Sequence, residues 1–211
     1  DLAAMAAPGV LHKYQGRVLL TVTGACAVHC RYCFRRHFPY ADANPGVDQW
    51  RAALEYIAGD DTIVEVILSG GDPLALSDRR LAELVRQLET IPHLRRLRLH
   101  TRLPVVLPER VNDELLGWLG GTKLKSVVVV HVNHANEIDA AVREAFAAMK
   151  ASGAELLNQS VLLHGVNDSS DTLAALSEKL FETGVLPYYL HLLDRVQGAA
   201  HFDVDEIAAR R

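Results

Sequence analysis

Six apolar runs of strand length recur along this chain, each separated from the next by a helical pattern. They are "RVLLTVT" (17–23), "VEVILSG" (64–70), "RRLRLHT" (95–101), "SVVVVHV" (126–132), "ELLNQSVLL" (155–163) and "PYYLHLL" (187–193). Several are near-continuous in Val, Ile and Leu, the composition of strands covered on both faces. The helical patterns between them carry their own start and stop signals. Asp48 is read as the cap of a helix bearing Trp50, Leu54 and Ile57, and Ser77 as the cap of one bearing Leu81, Leu84, Val85 and Leu88. Asn112 precedes Leu115 and Leu119, and Asn136 precedes Ile138, Val142, Phe146 and Met149, a pattern that Gly153 ends. Thr172 opens the last, which Gly184 ends. Strands alternating with helices at roughly 30-residue intervals give an α/β fold, with a parallel sheet and right-handed crossovers. The first βα connection holds cysteines where a dinucleotide fold carries its G-x-G-x-x-G turn. The expected architecture is therefore a partial (βα)6 barrel of the TIM type. Residues 1–16 read as a lead-in and 17–211 as one domain, with no linker between units.

A chain of 211 residues can bury one substantial core. Its formal charge of −4 leaves no electrostatic footprint for nucleic acid. No run reaches the roughly 18 apolar residues of a membrane helix. The opening "DLAAMAAPGVLHKY" lacks the basic region and long apolar core of a signal peptide. All three cysteines fall between residues 26 and 33, an odd, clustered set that suits a reducing cytoplasm better than a disulfide framework. The chain begins without methionine and stops at "DEIAARR", and is read as a fragment or a trimmed sequence.

Barrel enzymes build their sites at the C-terminal ends of the strands. Here those ends carry unusual polar groups: the cysteines and "FRRH" after the first run, "SGGDP" after the second, "HTR" ending the third and "HVNHANE" after the fourth. Gln159 interrupts the apolar fifth run, and Asp194 follows the sixth. Cys26, Cys30 and Cys33, in "CAVHCRYC", can each give a thiolate to a metal. Three thiolates can hold an iron–sulfur cubane with one iron left open for a small molecule. The same three with His29 or His37 would make a Cys3His zinc site, and the spacing leaves both open. In "SGGDP", Gly70 and Gly71 allow close backbone approach, offering N–H and C=O groups to an amino acid's amine and carboxylate.

The C-x3-C-x2-C spacing in the first βα connection, with Tyr32 before the last cysteine, resembles the radical S-adenosylmethionine superfamily. The resemblance implies a [4Fe–4S] cluster on Cys26, Cys30 and Cys33 that chelates S-adenosylmethionine and cleaves it reductively to a 5′-deoxyadenosyl radical. It also implies that Ser69, Gly70, Gly71 and Asp72 help to bind that cofactor.

Within the superfamily, "CRYCFRRHFPY", "SGGDPL", "HTRLPVVLPERV", "HVNHANEI", "LLNQSVLLHGVND" and "PYYLHLLDRVQGAAHF" resemble the lysine 2,3-aminomutases in this order, from about residue 11 to residue 202. The lead-in "HKYQGRVLL" and the later "VQGAAHF" narrow the resemblance to the branch serving β-lysylation of translation elongation factor P. The resemblance implies that Arg35 grips the carboxylate of lysine, that Asp194 pairs with its ε-ammonium, and that His131 and Gln159 lie near S-adenosylmethionine. It implies further that Lys13 and Arg17 hold the phosphate of pyridoxal 5′-phosphate (PLP). The implied reaction is conversion of L-α-lysine to (R)-β-lysine, which a separate ligase then attaches to elongation factor P; the nearest rival is a metabolic aminomutase making free β-lysine, and a remoter one is a non-catalytic zinc-binding protein. The family's PLP lysine lies in a Gly-rich segment after the sixth strand, and none of Lys13, Lys123, Lys125, Lys150 and Lys179 has that context. It is expected beyond Arg211, and the chain as it stands is expected to cleave S-adenosylmethionine without normal turnover. Ser169 stands where some longer aminomutases carry a zinc-binding cysteine, so no zinc is expected.

Overall fold

The computed structural model describes residues 4–35 and 47–210, with the backbone alone for 47–49. His37, the alternative zinc ligand, lies outside the described residues, as does the side chain of Asp48.

Six strands fall where the apolar runs place them: β3 (Arg17–Thr23), β4 (Glu65–Gly70), β5 (Arg96–Thr101), β6 (Lys125–His131), β7 (Glu155–Val161) and β8 (Leu186–His191). All are parallel and each pairs with the next in sequence. Sequential order with right-handed crossovers sends every connecting helix to the same face, and the sheet curls around the other. Among the described residues the lead-in adds two further strands. β1 (Met5–Ala7) and β2 (Val10–Tyr14) run antiparallel and extend the sheet beyond β3. The sequence pattern does not reveal them because they are short and carry little alternation. Among the described residues the two edges, β1 and β8, do not pair with each other, so the sheet they form is open.

The principal helices are α1 (Val47–Ala58), α2 (Asp78–Leu88), α3 (Leu103–Val106), α4 (Asp113–Gly121), α5 (Ala140–Ala151) and α6 (Ser170–Glu182). Their apolar stripes meet the helix-facing strand residues. Leu20, Leu68, Leu99, Val128, Val130 and Leu156 pack with Ile57, Leu81, Leu84, Leu119, Phe146, Met149 and Leu180 in one buried cluster. The intervening residues Leu19, Ser69, His100, His131, Gln159 and Val161 point the other way, into a cavity. The two-residue side-chain period of a strand thus separates core from site.

Three local expectations differ from the structure. Asp48 lies inside α1, which already begins at Val47. Helix α5 is capped by the Asp139 carboxylate, which accepts from Val142 N at 2.9 Å, while Asn136 belongs to a preceding 3-10 turn, Ala135–Glu137. That turn uses the residues the pattern assigns to the first helical turn. The sixth run has the composition of a strand covered on both faces, yet every residue of β8 is exposed, including Leu186, Tyr188, Tyr189 and Leu190. Among the described residues it is an edge strand whose sheet neighbour is β7. Asn112 caps α4 as its position suggests, accepting from Leu115 N at 2.9 Å.

Candidate active site

A cavity of about 570 Å³ opens at the C-terminal ends of the parallel strands, within the usual range for a small-molecule site. Its wall contains Cys26, Cys30 and Cys33, and with them His29, Arg35, Ser69 to Asp72, His131, Gln159 and Asp194. With His100 and Arg102 from the end of β5 in the same wall, residues from all six parallel strand ends, from position 26 to position 194, meet in one place. Lys13 and Arg17 do not. They sit at the opposite end of β3, where Arg17 opens the strand, and flank the Tyr14 ring, with Arg17 Cζ 4.9 Å and Lys13 Nζ 5.8 Å from its centroid. Along the strand this is roughly 20 Å from the cysteine loop. None of the five lysines lines the cavity.

The cysteine loop is held by the turn after β4. Gly71 N donates to Thr23 O at 2.7 Å, and Asp72 N to Ala25 O at 2.8 Å. A Cβ on Gly70 would overlap Thr23 O, and one on Gly71 would overlap Ala25 O. Gly70 also has φ +128°, which side chains rarely adopt. The glycines thus serve close approach, as expected, but what approaches is the backbone of the cysteine loop. The Gly71 N–H, expected to face a ligand, is already spent on Thr23.

Asp72 differs from expectation for a similar reason. Its carboxylate is buried and accepts from Thr101 Oγ1 (2.6 Å), Arg102 N (2.7 Å), Leu74 N (3.0 Å) and Leu103 N (3.3 Å). It fastens the β4 turn to the end of β5 and has little capacity left for a cofactor. Burial pushes its carboxyl above the usual range, and these four hydrogen bonds oppose the rise.

Arg35 folds over this turn, Nη1 donating to Ser69 Oγ at 3.1 Å and to Gly70 O at 3.0 Å. That leaves part of its planar fork facing the cavity it lines. On the other wall His131 and Gln159, neighbours in the β6–β7 register, bond through Gln159 Nε2 and His131 Nε2 at 2.8 Å. His100 meets the edge of the His131 ring at 6.2 Å between centroids, and its Nε2 is buried without a partner. Burial first, then nearby positive charge, pushes both imidazoles down to about 3, so both are neutral at pH 7. Asp194 is exposed at the cavity rim.

The end of β5 supplies a network that the sequence located only as "HTR". Arg102 Nη1 donates to Tyr32 Oη at 2.7 Å and to Cys30 Sγ at 3.3 Å, while Nη2 reaches Glu137 Oε2 at 2.7 Å. Asn133 Nδ2 also bonds to Tyr32 Oη. Burial, the largest effect on Tyr32, pushes its phenol up to about 12, so it stays a neutral hydroxyl. Arg102, His100, Asn133 and Glu137 are visible in the sequence as polar residues at strand ends, but their roles depend on partners 31 to 101 positions away.

All three cysteines are free and partly exposed toward the cavity. The Cys26 thiol is pushed up to about 11, by burial first and then by Asp72, Cys33 and Cys30. Among the described residues no three His, Cys, Asp or Glu side chains converge on a point that would hold a single ion. Thiolates around one cavity, with the buried, unpartnered Nε of Arg102 beside them, fit the larger, acceptor-rich surface of an iron–sulfur cluster.

Residues 20–176 match the Radical SAM superfamily, and the chain belongs to it. A [4Fe–4S] cluster and S-adenosylmethionine are that superfamily's cofactors. Among curated proteins, the chain is 58% identical over 207 residues to the L-lysine 2,3-aminomutase of Haemophilus influenzae, covering 98% of this chain and 61% of that protein. It is 54% identical to the L-lysine 2,3-aminomutase of Escherichia coli, covering 97% and 60%. The chain thus spans about three fifths of the length of these relatives. Solved structures give the same fold at low identity. One is a native anSMEcpe with bound AdoMet and a Cp18Cys peptide (TM-score 0.67, 12% identity, 91% of this chain and 56% of that one). Another is coproporphyrinogen III oxidase from Escherichia coli (TM-score 0.57, 14% identity, 99% and 49%). No described helix is long and apolar enough to cross a membrane.

Proposed function

We propose that this chain is the radical S-adenosylmethionine part of a lysine 2,3-aminomutase that makes (R)-β-lysine from L-α-lysine. The observation that carries the reading is a single cavity with three thiols, a guanidinium and a distal carboxylate in its wall, in a chain more than half identical to proteins of that activity. In this reading Arg35 takes the substrate carboxylate with the part of its fork not spent on the β4 turn. Asp194, at the rim, faces the ε-ammonium. His131 and Gln159, neutral and mutually bonded, offer S-adenosylmethionine polar contacts that do not repel its sulfonium. The cluster and S-adenosylmethionine together supply a carbon radical able to take a hydrogen from an unactivated position.

PLP, a second cofactor in this reading, would rest its phosphate against Lys13 and Arg17, which lie outside the cavity wall and roughly 20 Å along β3 from the cysteine loop, so that cofactor and bound lysine together would have to span the barrel interior. Two cations flanking one exposed aromatic ring suit a phosphate by charge. The product is proposed to serve modification of translation elongation factor P through a separate ligase. The motifs "HKYQGRVLL" and "VQGAAHF" favour this over a free β-lysine pool. The test is anaerobic incubation of the reconstituted full-length protein with reductant, S-adenosylmethionine, PLP and L-lysine. 5′-Deoxyadenosine together with β-lysine is expected; 5′-deoxyadenosine that is indifferent to lysine would remove lysine as substrate. Transfer of the product to elongation factor P by its ligase separates the two destinations.

A further inference from the structure

We propose that Arg102 sets the reduction potential of the cluster by hydrogen-bonding to the Cys30 thiolate. The inference rests on the superfamily's cluster, not on the aminomutase reading.

The geometry is specific. Nη1 of Arg102 lies 3.3 Å from Cys30 Sγ, inside hydrogen-bond range for sulfur. Arg102 is anchored both at its backbone and at its guanidinium. Its backbone N–H is held by Asp72, its Nη2 by Glu137, and Glu137 in turn accepts from the backbone of Asn133 (2.7 Å) and His134 (3.0 Å). With the Arg102 and Glu137 side chains only 20% and 24% exposed, the charge acts where water screens it weakly. A purely structural arginine would be satisfied by Tyr32 and Glu137. This one also points an N–H at a sulfur and leaves Nε buried without a partner. An orphaned buried donor is costly unless an acceptor arrives, and a cluster offers thiolate and sulfide acceptors.

The sign follows from charge. One-electron reduction of the cluster adds negative charge that spreads onto its sulfurs. A donated hydrogen bond and a positive charge at Cys30 stabilise the reduced state more than the oxidised one, which raises the potential. Glu137 offsets part of that charge but lies at the far end of the fork, so the positive end of the pair faces the sulfur. A raised potential would let a physiological donor reduce the cluster more readily before cofactor cleavage.

The experiment is EPR-monitored potentiometric titration of the reconstituted wild-type, Arg102→Met and Arg102→Lys chains, without lysine or PLP, alongside iron and sulfide analysis. Expected is a more negative midpoint in Arg102→Met at unchanged iron content, with Arg102→Lys between it and wild type. An unchanged midpoint in Arg102→Met at full iron content overturns the proposal. If Arg102→Met loses its iron, Arg102→Lys decides: a negative shift supports the proposal and an unchanged midpoint overturns it. Loss of iron from both variants also overturns it, because the guanidinium would then build the loop rather than tune the cluster. Failure of wild type to bind iron would defeat the cluster assignment itself. Failure to make β-lysine would leave the measured potentials untouched.

Discussion

Gln159 Nε2 stands 2.8 Å from His131 Nε2, and this pairing determines which imidazole nitrogen carries the proton. The amide nitrogen donates, so Nε2 accepts and the proton resides on Nδ1 of a neutral ring. The β6–β7 register sets the two residues opposite each other, so the tautomer is chosen by strand alignment.

Acid stability should report on this wall. His100 and His131 are held near pKa 3 in the folded chain, against about 6.5 when unfolded. Between those values the unfolded chain binds protons that the folded one refuses. Their contribution to stability is therefore full above pH 6.5 and is lost as pH falls toward 3. Each histidine adds a slope of up to about 1.4 kcal/mol per pH unit. Urea unfolding of cluster-free protein at stepped pH should show the decline, and His100→Gln should reduce its slope by one proton's worth.

Asp72→Asn should destabilise the chain by about 1.5–3 kcal/mol, because an amide nitrogen would face N–H donors that now meet a carboxylate oxygen. The denaturation midpoint at pH 7 measures it. A change below 0.5 kcal/mol, on the order expected of an ordinary surface substitution, would show that the four bonds are not made in solution.

Glu65 is buried at the N-terminal end of β4 and accepts from Arg98 Nε (3.0 Å) and Nη2 (2.7 Å). Removing it as Glu65→Ala leaves a largely buried guanidinium with the Tyr188 hydroxyl (3.3 Å) but no carboxylate partner and should cost about 3–5 kcal/mol. The double variant Glu65→Leu with Arg98→Met should recover most of that loss. Equal destabilisation by the single and double variants would argue against an uncompensated charge as the cause.

Gly71→Ala should lower iron content without unfolding the barrel. The added methyl meets Ala25 O, and relief of the overlap moves the loop that begins at Cys26. Iron per chain after anaerobic reconstitution, set against an unchanged circular dichroism spectrum, checks this. Full iron loading would mean that the loop adjusts freely.

Asp194→Asn should weaken lysine binding only modestly in the full-length protein. Asp194 is exposed at the rim, and an exposed ion pair contributes about 0.2–1 kcal/mol, less than about sixfold in affinity. Isothermal titration with lysine is the measurement. A loss above about a hundredfold would mean that the substrate-bound site closes over this carboxylate.

The sequence by itself determined the six parallel strands and the side of the sheet on which chemistry collects. Strand-length apolar runs and alternating core and site residues are local properties of the chain, and they survive folding unchanged. Spacing likewise placed three thiols in one connection, and strand-end residues such as His131, Gln159 and Asp194 at one mouth. Tertiary structure decided what the polar groups there touch. Asp72 and Gly71 are spent on neighbouring backbone, and Arg102 reaches Cys30 and Tyr32 across 72 and 70 positions. A hydrogen bond is settled within a few tenths of an ångström by the packing of elements remote in sequence.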